Sequence, residues 1–276
     1  MINIFTLSAL SEKKKTVIII GANSSLGKHL CSIFIEKEWS VIATSRKKPK
    51  LKEASCFKIN LEKESSIRKG VKNILKNIDQ IDLVILANGV VYSGAFESFT
   101  TKEINRQIQL NFLGNLSVVQ KLLPKMREQK SGTIVTVSSL CGLVTFPMLS
   151  LYHASKWALE GFCESLYYEM LPFGIRVKII EPGGIKSEDG YSSIVFPKNS
   201  IPDYQELLDK VHNTEWFPSF TSVDIVASQI YKAATDSKKQ LRYIIGEESI
   251  KFINERQKGF IDESYLLKMK NRFNED

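Results

Sequence analysis

A chain of 276 residues with a hydrophobic fraction of 43% and a charged fraction of 25% has the make-up of an ordinary globular protein, long enough for one large α/β domain. The net charge of +8 comes from Lys and Arg spread along the whole length, without a basic stripe carrying aromatic platforms, so nucleic acid is not an expected partner. A mild positive field of this kind suits a small molecule that bears phosphate. Cys31, Cys56, Cys141 and Cys163 form no Cys-x-x-Cys pair, and His29, His153 and His212 lack metal-ligand spacing; the expectation is reduced thiols and no metal. Residues 1–11 have neither the basic nor the long apolar region of a secretory leader, and no apolar run reaches the length of a membrane span. The expected setting is the cytoplasm.

In chain order, residues 1–14 read as a short leader. Residues 16–20 are a β-branched run ended by Gly21, the pattern of a strand buried on both faces. A helix follows over 26–37, with Leu26, Leu30, Ile33 and Phe34 at helical spacing. Strands are expected at 40–44 and, more weakly, at 54–59. Residues 65–78 place Ile67, Val71, Ile74, Leu75 and Ile78 on one helical face, and 82–86 is a strand closed by Asn88 and Gly89. The alternation continues with a long helix or helix pair at 103–128, a strand at 133–137, a helix at 152–171 and a strand at 176–180. A helix at 222–235 and a short strand at 241–245 complete it. Strands alternating with helices imply one doubly wound, Rossmann-like parallel sheet with helices on both faces, here over 15–246. Residues 186–220 break the rhythm, with one short helix near 204–211, and read as a lid or binding loop. Residues 247–276 read as a polar helical extension.

The first strand runs into Gly21-Ala22-Asn23-Ser24-Ser25-Leu26-Gly27 and then a helix. Small residues there let the backbone approach a pyrophosphate at the positive end of the helix, although a plain tight turn would look similar. After the second strand stand Arg46, Lys47 and Lys48, with no carboxylate among them. An acid there would bond ribose hydroxyls, whereas Arg46 could pair with a 2′-phosphate or simply be a solvated loop charge. Further on, Tyr152 and Lys156 are four apart on a predicted helix and share a face. An ammonium beside a phenol favours phenolate, and a phenol so tuned can exchange a proton with a carbonyl oxygen. Such a pair is common in helices and carries little on its own.

The context makes it specific. The glycine turn, Asn111, the segment Gly132-Thr133-Ile134-Val135-Thr136-Val137-Ser138-Ser139, the set Tyr152, Ala154, Ser155 and Lys156, and Glu181-Pro182-Gly183 stand in one order along the chain. In these motifs the chain closely resembles the short-chain dehydrogenase/reductase family, in its single-domain, hydroxysteroid-dehydrogenase-like branch. The resemblance covers about 15–246. It implies that Tyr152 is the acid/base, that Lys156 lowers its pKa and bonds the nicotinamide ribose, and that Ser139 orients the substrate carbonyl. It also implies that Asn111 holds a water linking Lys156 to solvent. For the cofactor it implies contacts from Gly21, Asn23, Ser24, Ser25, Leu26 and Gly27, from Arg46, from Asn60 and Leu61 beside adenine, and from Asn88 and Gly89. Pro182, Gly183, Ile185 and Ser187 would flank the nicotinamide. The chain departs from the family at Ser25, at Leu86-Ala87-Asn88-Gly89 and at Asn60, none of which is a catalytic position.

The expected activity is an NADP(H)-dependent oxidoreductase, preferring NADP(H) over NAD(H), acting on a hydrophobic ketone, aldehyde or alcohol. The alternative is a non-catalytic dinucleotide-binding sensor or scaffold of the same fold. Val90, Val91, Tyr92, Leu140, Leu143, Phe146, Met148, Leu149, Tyr191, Ile194, Val195 and Phe196 are available to an apolar pocket, or equally to core packing. The resemblance also implies a homodimer or homotetramer. Trp157, Leu159, Phe162 and Leu166 suit such a contact, or the chain's own sheet.

Overall fold

The computed structural model describes residues 14–186, 194–198, 201–213, 220–259, 264, 266–268 and 271. The seven strands of the main sheet are β1 (Thr16–Ile20), β2 (Ser40–Ser45), β3 (Ala54–Lys58), β4 (Leu83–Leu86), β5 (Gly132–Val137), β6 (Ile175–Pro182) and β7 (Arg242–Ile245). All pair in parallel, in the order β3-β2-β1-β4-β5-β6-β7. The order reverses between β1 and β4, where Ile20 stands opposite Leu86. In such sheets the crevice at that reversal, beyond the carboxyl ends of the strands, is where ligands bind. The β-branched run of β1 is buried along its whole length, as a strand covered on both faces requires.

The helices are α1 (Ser25–Glu36), α2 (Glu64–Leu75), α3 (Thr101–Ile108), α4 (Gly114–Gln129), α5 (Ser150–Met170), α6 (Gln205–Asn213), α7 (Val223–Thr235) and α8 (Glu247–Lys258). On one face α1 and α7 bury Leu30, Phe34, Val226 and Ile230 against β1 and β4. On the other, α2, α4 and α5 bury Ile67, Ile74, Val118, Leu122, Leu159 and Leu166. Of the run that could have met a partner, Leu159 and Leu166 therefore belong to the chain's own core, and Phe162 packs edge-on against Phe112. Trp157 stays 38% exposed, with the Arg256 guanidinium 5.8 Å from its ring.

The expected long helix at 103–128 is three pieces. Thr100 and Glu103 close a capping box that starts α3 two residues early, and a π turn at Gln109–Leu113 separates α3 from α4. The irregular stretch contains α6 where a short helix was expected, and two-residue strands tie it down. Ile194–Val195 pairs with Val91–Tyr92, and Ile185–Lys186 with Thr221–Ser222. Of the polar extension, α8 and residues 264, 266–268 and 271 are described, and all are helical. Residues 1–13, Ser187 and Tyr191 lie outside the described residues.

Lys178 of β6 is fully buried, and its ammonium bonds the Asp236 carboxylate, the Ala233 carbonyl at 2.7 Å and the Tyr243 hydroxyl at 3.1 Å. This clamps the end of α7 onto β6 and β7. Removing one partner of a buried ion pair strands the other charge. Asp236→Ala is therefore expected to lower unfolding free energy by about 3 kcal/mol in urea titrations, and Lys178→Met by less.

Candidate active site

The turn from β1 to α1 has no room for side chains at its two glycines. Gly21 has φ +96° and a Cβ there would lie 2.8 Å from the Ala87 carbonyl oxygen; a Cβ at Gly27 would lie 2.2 Å from that of Gly21. Ser24 is consumed by the turn, since its hydroxyl accepts from the Gly27 amide at 3.0 Å and donates to the Gly21 carbonyl at 2.8 Å. Ser25 and Leu26 open the helix, half-buried, and no acidic residue in its first turn offsets the positive end. Asn23 donates to the Lys47 carbonyl at 2.7 Å and so ties the turn to the loop beyond β2.

Arg46 lies in that loop with its side chain 60% exposed. Its guanidinium is 4.0 Å from the Glu62 carboxylate, which Arg106 holds at 2.7 Å. The sequence pattern after β2 contains no acid, but folding brings one alongside from the loop after β3. Asn60 Oδ1 accepts from the Glu62 amide at 3.0 Å, and Leu61 is buried against Gly114. Both are thus committed to shaping the loop at this end of the crevice.

The π turn carries Asn111. Asn111 Oδ1 accepts from the Val90 amide at 2.9 Å, while its Nδ2 donates to the Val90 carbonyl at 2.9 Å and to Ser155 Oγ at 3.1 Å. Both amide hydrogens of its side chain are thereby engaged, while Oδ1 and the backbone carbonyl, which accepts Asn115 Nδ2 at 2.9 Å, each retain a lone pair for water. Asn88 Nδ2 donates to the Leu110 carbonyl at 2.8 Å, but its buried Oδ1 has no hydrogen-bond partner among the described residues. At Gly89 a Cβ would meet only ordinary contacts, 3.8 Å from Asn111 Oδ1 and 3.9 Å from Lys156 Nζ. An orphaned acceptor beside an open glycine, facing a helix end with positive polarity, fits the edge of a dinucleotide.

Tyr152 and Lys156 project from one face of α5, with Lys156 Nζ 5.7 Å from the centre of the Tyr152 ring. The ammonium donates to the Val137 carbonyl at 2.9 Å, at the end of β5. Burial lowers the Lys156 pKa to about 8, against the opposing pull of Glu160. Burial also pushes the Tyr152 phenol above its ordinary range, and the Ser139 hydroxyl works in the opposite direction. With the ammonium anchored on Val137, desolvation is the largest influence on the phenol. Ser139 Oγ accepts from the Cys141 amide at 3.1 Å, which turns its own hydrogen outward. Pro182 ends β6, and the Gly183 amide donates to the Ile245 carbonyl at 3.1 Å. Ile185 follows in its short strand; these three stand at the carboxyl end of β6.

The family model for short chain dehydrogenase matches residues 15–192. The chain belongs to the short-chain dehydrogenase/reductase family. Similar proteins include an uncharacterized oxidoreductase, YusZ, of Bacillus subtilis, 34% identical over 85% of this chain and 90% of its own length. An NADPH-dependent 3-dehydrocapnine reductase of Ornithobacterium rhinotracheale is 28% identical over 85% of this chain and 89% of its own. A solved short-chain dehydrogenase of Streptomyces avermitilis superposes with a TM-score of 0.84 at 26% identity, covering 95% of this chain and 99% of that one. The chain is accordingly an NAD(P)-dependent oxidoreductase acting on CH–OH groups. No helix among the described residues is long and apolar enough to cross a membrane, and none of their His, Cys, Asp and Glu side chains cluster to hold a metal ion.

This short-chain dehydrogenase also uses residues that sequence reading passed over. Gln107 accepts from the Tyr92 amide and donates to the Val90 carbonyl, both at 2.9 Å, so with Asn111 it fixes the wall beyond β4. Only its amide type on a buried helical face could have signalled Gln107, whereas Ser155 belongs to the Tyr152–Lys156 motif. His153 is buried; its Nε2 accepts from the Phe146 amide at 2.8 Å and its Nδ1 pairs with the Cys141 carbonyl at 2.9 Å. That pairing requires a neutral ring and pins the segment between Ser139 and Tyr152. Burial lowers the His153 pKa, so an unfolded chain takes up the proton first as pH falls. The stability from the neutral ring is whole above the unfolded value of about 6.5 and is lost as pH drops from there towards the folded value. The melting temperature should fall as the pH drops below about 6.5, and His153→Gln should flatten part of that slope. A slope unchanged in the variant would remove His153 as its source.

Proposed function

We propose that the enzyme interconverts a hydrophobic ketone or aldehyde and its alcohol, with NADP(H) preferred over NAD(H) and Tyr152 as the acid/base. The observation that carries this reading is the Tyr152–Lys156 pair on one face of α5, with Ser139 beside the phenol and Gly89 beside the ammonium. When bound, the nicotinamide supplies or takes up a hydride at the substrate carbon. The protein's part is to handle the oxygen. A phenol held protonated by burial is a ready acid for a carbonyl oxygen as it gains charge. Ser139, with its acceptor side engaged by Cys141, donates its own hydrogen to the same oxygen. Lys156 spends one of its three donors on Val137 and keeps two for the phenol and the cofactor ribose. Tyr152→Phe is expected to leave NADPH binding intact and lower turnover by about a hundredfold or more. Turnover at the wild-type rate would exclude Tyr152 from the reaction.

The cofactor preference rests on Arg46, exposed at the mouth of the crevice and joined to Glu62 only at 4.0 Å. A 2′-phosphate would compete well with so long a contact. The NADPH-dependence of the 3-dehydrocapnine reductase relative points the same way. NADPH should raise the melting temperature more than NADH, and Arg46→Ala should weaken NADPH about tenfold while leaving NADH unchanged. Equal shifts by the two cofactors in the wild type would overturn the assignment.

Support for an apolar substrate is narrower than the sequence list. Val90, Tyr92, Leu140 and Phe146 are core packing in two small clusters, and Leu143 lines a surface pocket with Trp157 and Arg242. Leu149 and Val195 pack against the edges of the same clusters, which leaves Val91, Met148, Ile194 and Phe196, half-buried or exposed. The 194–195 strand is held over Val91 and Tyr92, which brings those side chains towards the site. An NADPH-consumption screen should favour apolar carbonyls; turnover of small charged substrates alone would reverse the preference.

A further inference from the structure

Beneath the Tyr152–Lys156 pair lies a second cluster of charge. Glu160 follows Lys156 by one turn of α5, on the same face. It is 5% exposed, and Glu181 on β6 is wholly buried. Arg242 on β7 spans both carboxyl groups, with Nε 3.3 Å from Glu160 Oε2 and 3.3 Å from Glu181 Oε1. Its Nη2 is 2.7 Å from Glu164 Oε2 at the surface. One guanidinium thus serves three carboxyl groups, two of them removed from water.

The hydrogen-bond geometry shows the deficit. Glu160 Oε1 and both oxygens of Glu181 lack a well-formed donor among the described residues. Ser138 lies close enough to favour the Glu160 carboxylate, yet no well-aligned hydrogen bond joins them. Two neighbouring buried carboxyl groups cannot both ionise cheaply, and a proton kept on one supplies the donor the other lacks. Burial raises both carboxyl groups, and the charge of Glu160 raises Glu181 further, so the pair keeps one proton at neutral pH and the wholly buried Glu181 is its better holder. Glu160 in turn lies directly under the catalytic loop. A Cβ at Gly142 would stand 2.8 Å from Ser138 Oγ and 3.0 Å from Glu160 Oε1, so only glycine lets the loop settle on this carboxyl group. The charged and titratable groups facing the pair are Lys156, Cys163 and Glu164 from α5, Cys141 from the turn after β5, and Arg242 from β7. Burial raises both thiols to about 12, leaving Lys156 and Arg242 as the cations the pair answers to. Arg256 of α8 shares the surface pocket into which Arg242 and Glu164 open.

We propose that Glu160 is a positioning residue for Lys156: as the ionised half of a carboxyl pair that shares one proton with Glu181 under the Arg242 guanidinium, it keeps Lys156 charged. The inference rests on the reading of Lys156 as part of the reducing site. It separates the two carboxyl groups, because only one of them carries charge at neutral pH. Glu160→Gln removes the anion, so Lys156 should lose its proton at lower pH, and the alkaline limb of carbonyl reduction should move down by about one pH unit. Glu181→Gln exchanges a carboxyl group that is already protonated at neutral pH for a neutral amide, so Glu160 stays ionised and the limb should stay where it is. A purely structural role would weaken both variants at every pH without displacing the limb, which would overturn the proposal.

A second measurement needs neither substrate nor a folded variant of the pair. Carbon-13 NMR of wild-type protein labelled at the Glu side-chain carboxyl should show one carboxyl titrating near pH 9, a value that moves when Lys156 is replaced by Met. If that titration is present but no carbonyl is turned over, the coupling stands and the reading of the activity fails. If turnover is found but every Glu carboxyl titrates in the ordinary acidic range, the activity stands and the coupling fails.

Discussion

The site turns on one desolvated charge. Lys156 is buried, and burial favours its neutral form, so its ammonium persists only through the groups that meet it. Two stabilise it directly: the Val137 carbonyl at the end of β5 and the anionic charge of Glu160 one turn along α5. β5 is an interior strand, between β4 and β6, so the carbonyl that orients Lys156 is held by pairing on both sides. The helix supplies the side chain and the sheet supplies its bearing. Moving either by a fraction of a turn would separate the ammonium from the phenol.

The other side of the cleft is fixed by an irregularity rather than by regular structure. A π turn widens the helix at Gln109–Leu113 and releases carbonyls from the regular i→i−4 ladder. Side-chain amides take two of them: Asn88 reaches Leu110, and Asn115 reaches Asn111. Asn111 and Gln107 then hold the backbone beyond β4 from beneath, and Ser155 carries the link across to α5. One turn of helix, one strand end and α5 are thereby a single hydrogen-bonded body, and Gly89 lies open above it.

Much of this was legible in the amino-acid order because the relevant signals are local. The β-branched run of β1, the glycine turn, and the four-residue spacing of Tyr152 and Lys156 are each set by neighbouring residues, and all three appear where the pattern puts them. What escaped is non-local. Glu62 reaches Arg46 from a different loop, so the absence of an acid after β2 in the sequence does not mean its absence in space. Glu160, Glu181 and Arg242 come from α5, β6 and β7, and no spacing rule links them. The π turn hid inside a continuous helical pattern, because its cause is hydrogen bonding by Asn88 and Asn115 and not periodicity. The apolar residues near the cleft stayed ambiguous for a related reason: composition cannot separate a lining residue from a packing one, and of the two readings Tyr92 and Phe146 follow packing.

The phenol illustrates why pairwise reasoning from sequence overshoots. An ammonium four residues away suggests a lowered pKa, and the two groups do share a face. Yet the side chain is half-buried as well, and desolvation favours the neutral phenol more strongly than the Ser139 hydroxyl disfavours it. A neutral phenol beside a charged ammonium is a poised donor: the proton is present, and the positive charge needed to stabilise what remains after its transfer is already in place. The same logic explains why a buried carboxyl pair belongs one turn further along. A lone carboxylate there would bind the ammonium tightly and draw it off the phenol, whereas one that shares the Arg242 guanidinium with Glu181 divides its pull. Arg242 thus limits how strongly the carboxyl layer can hold Lys156, and leaves the ammonium on Val137, within reach of the cleft.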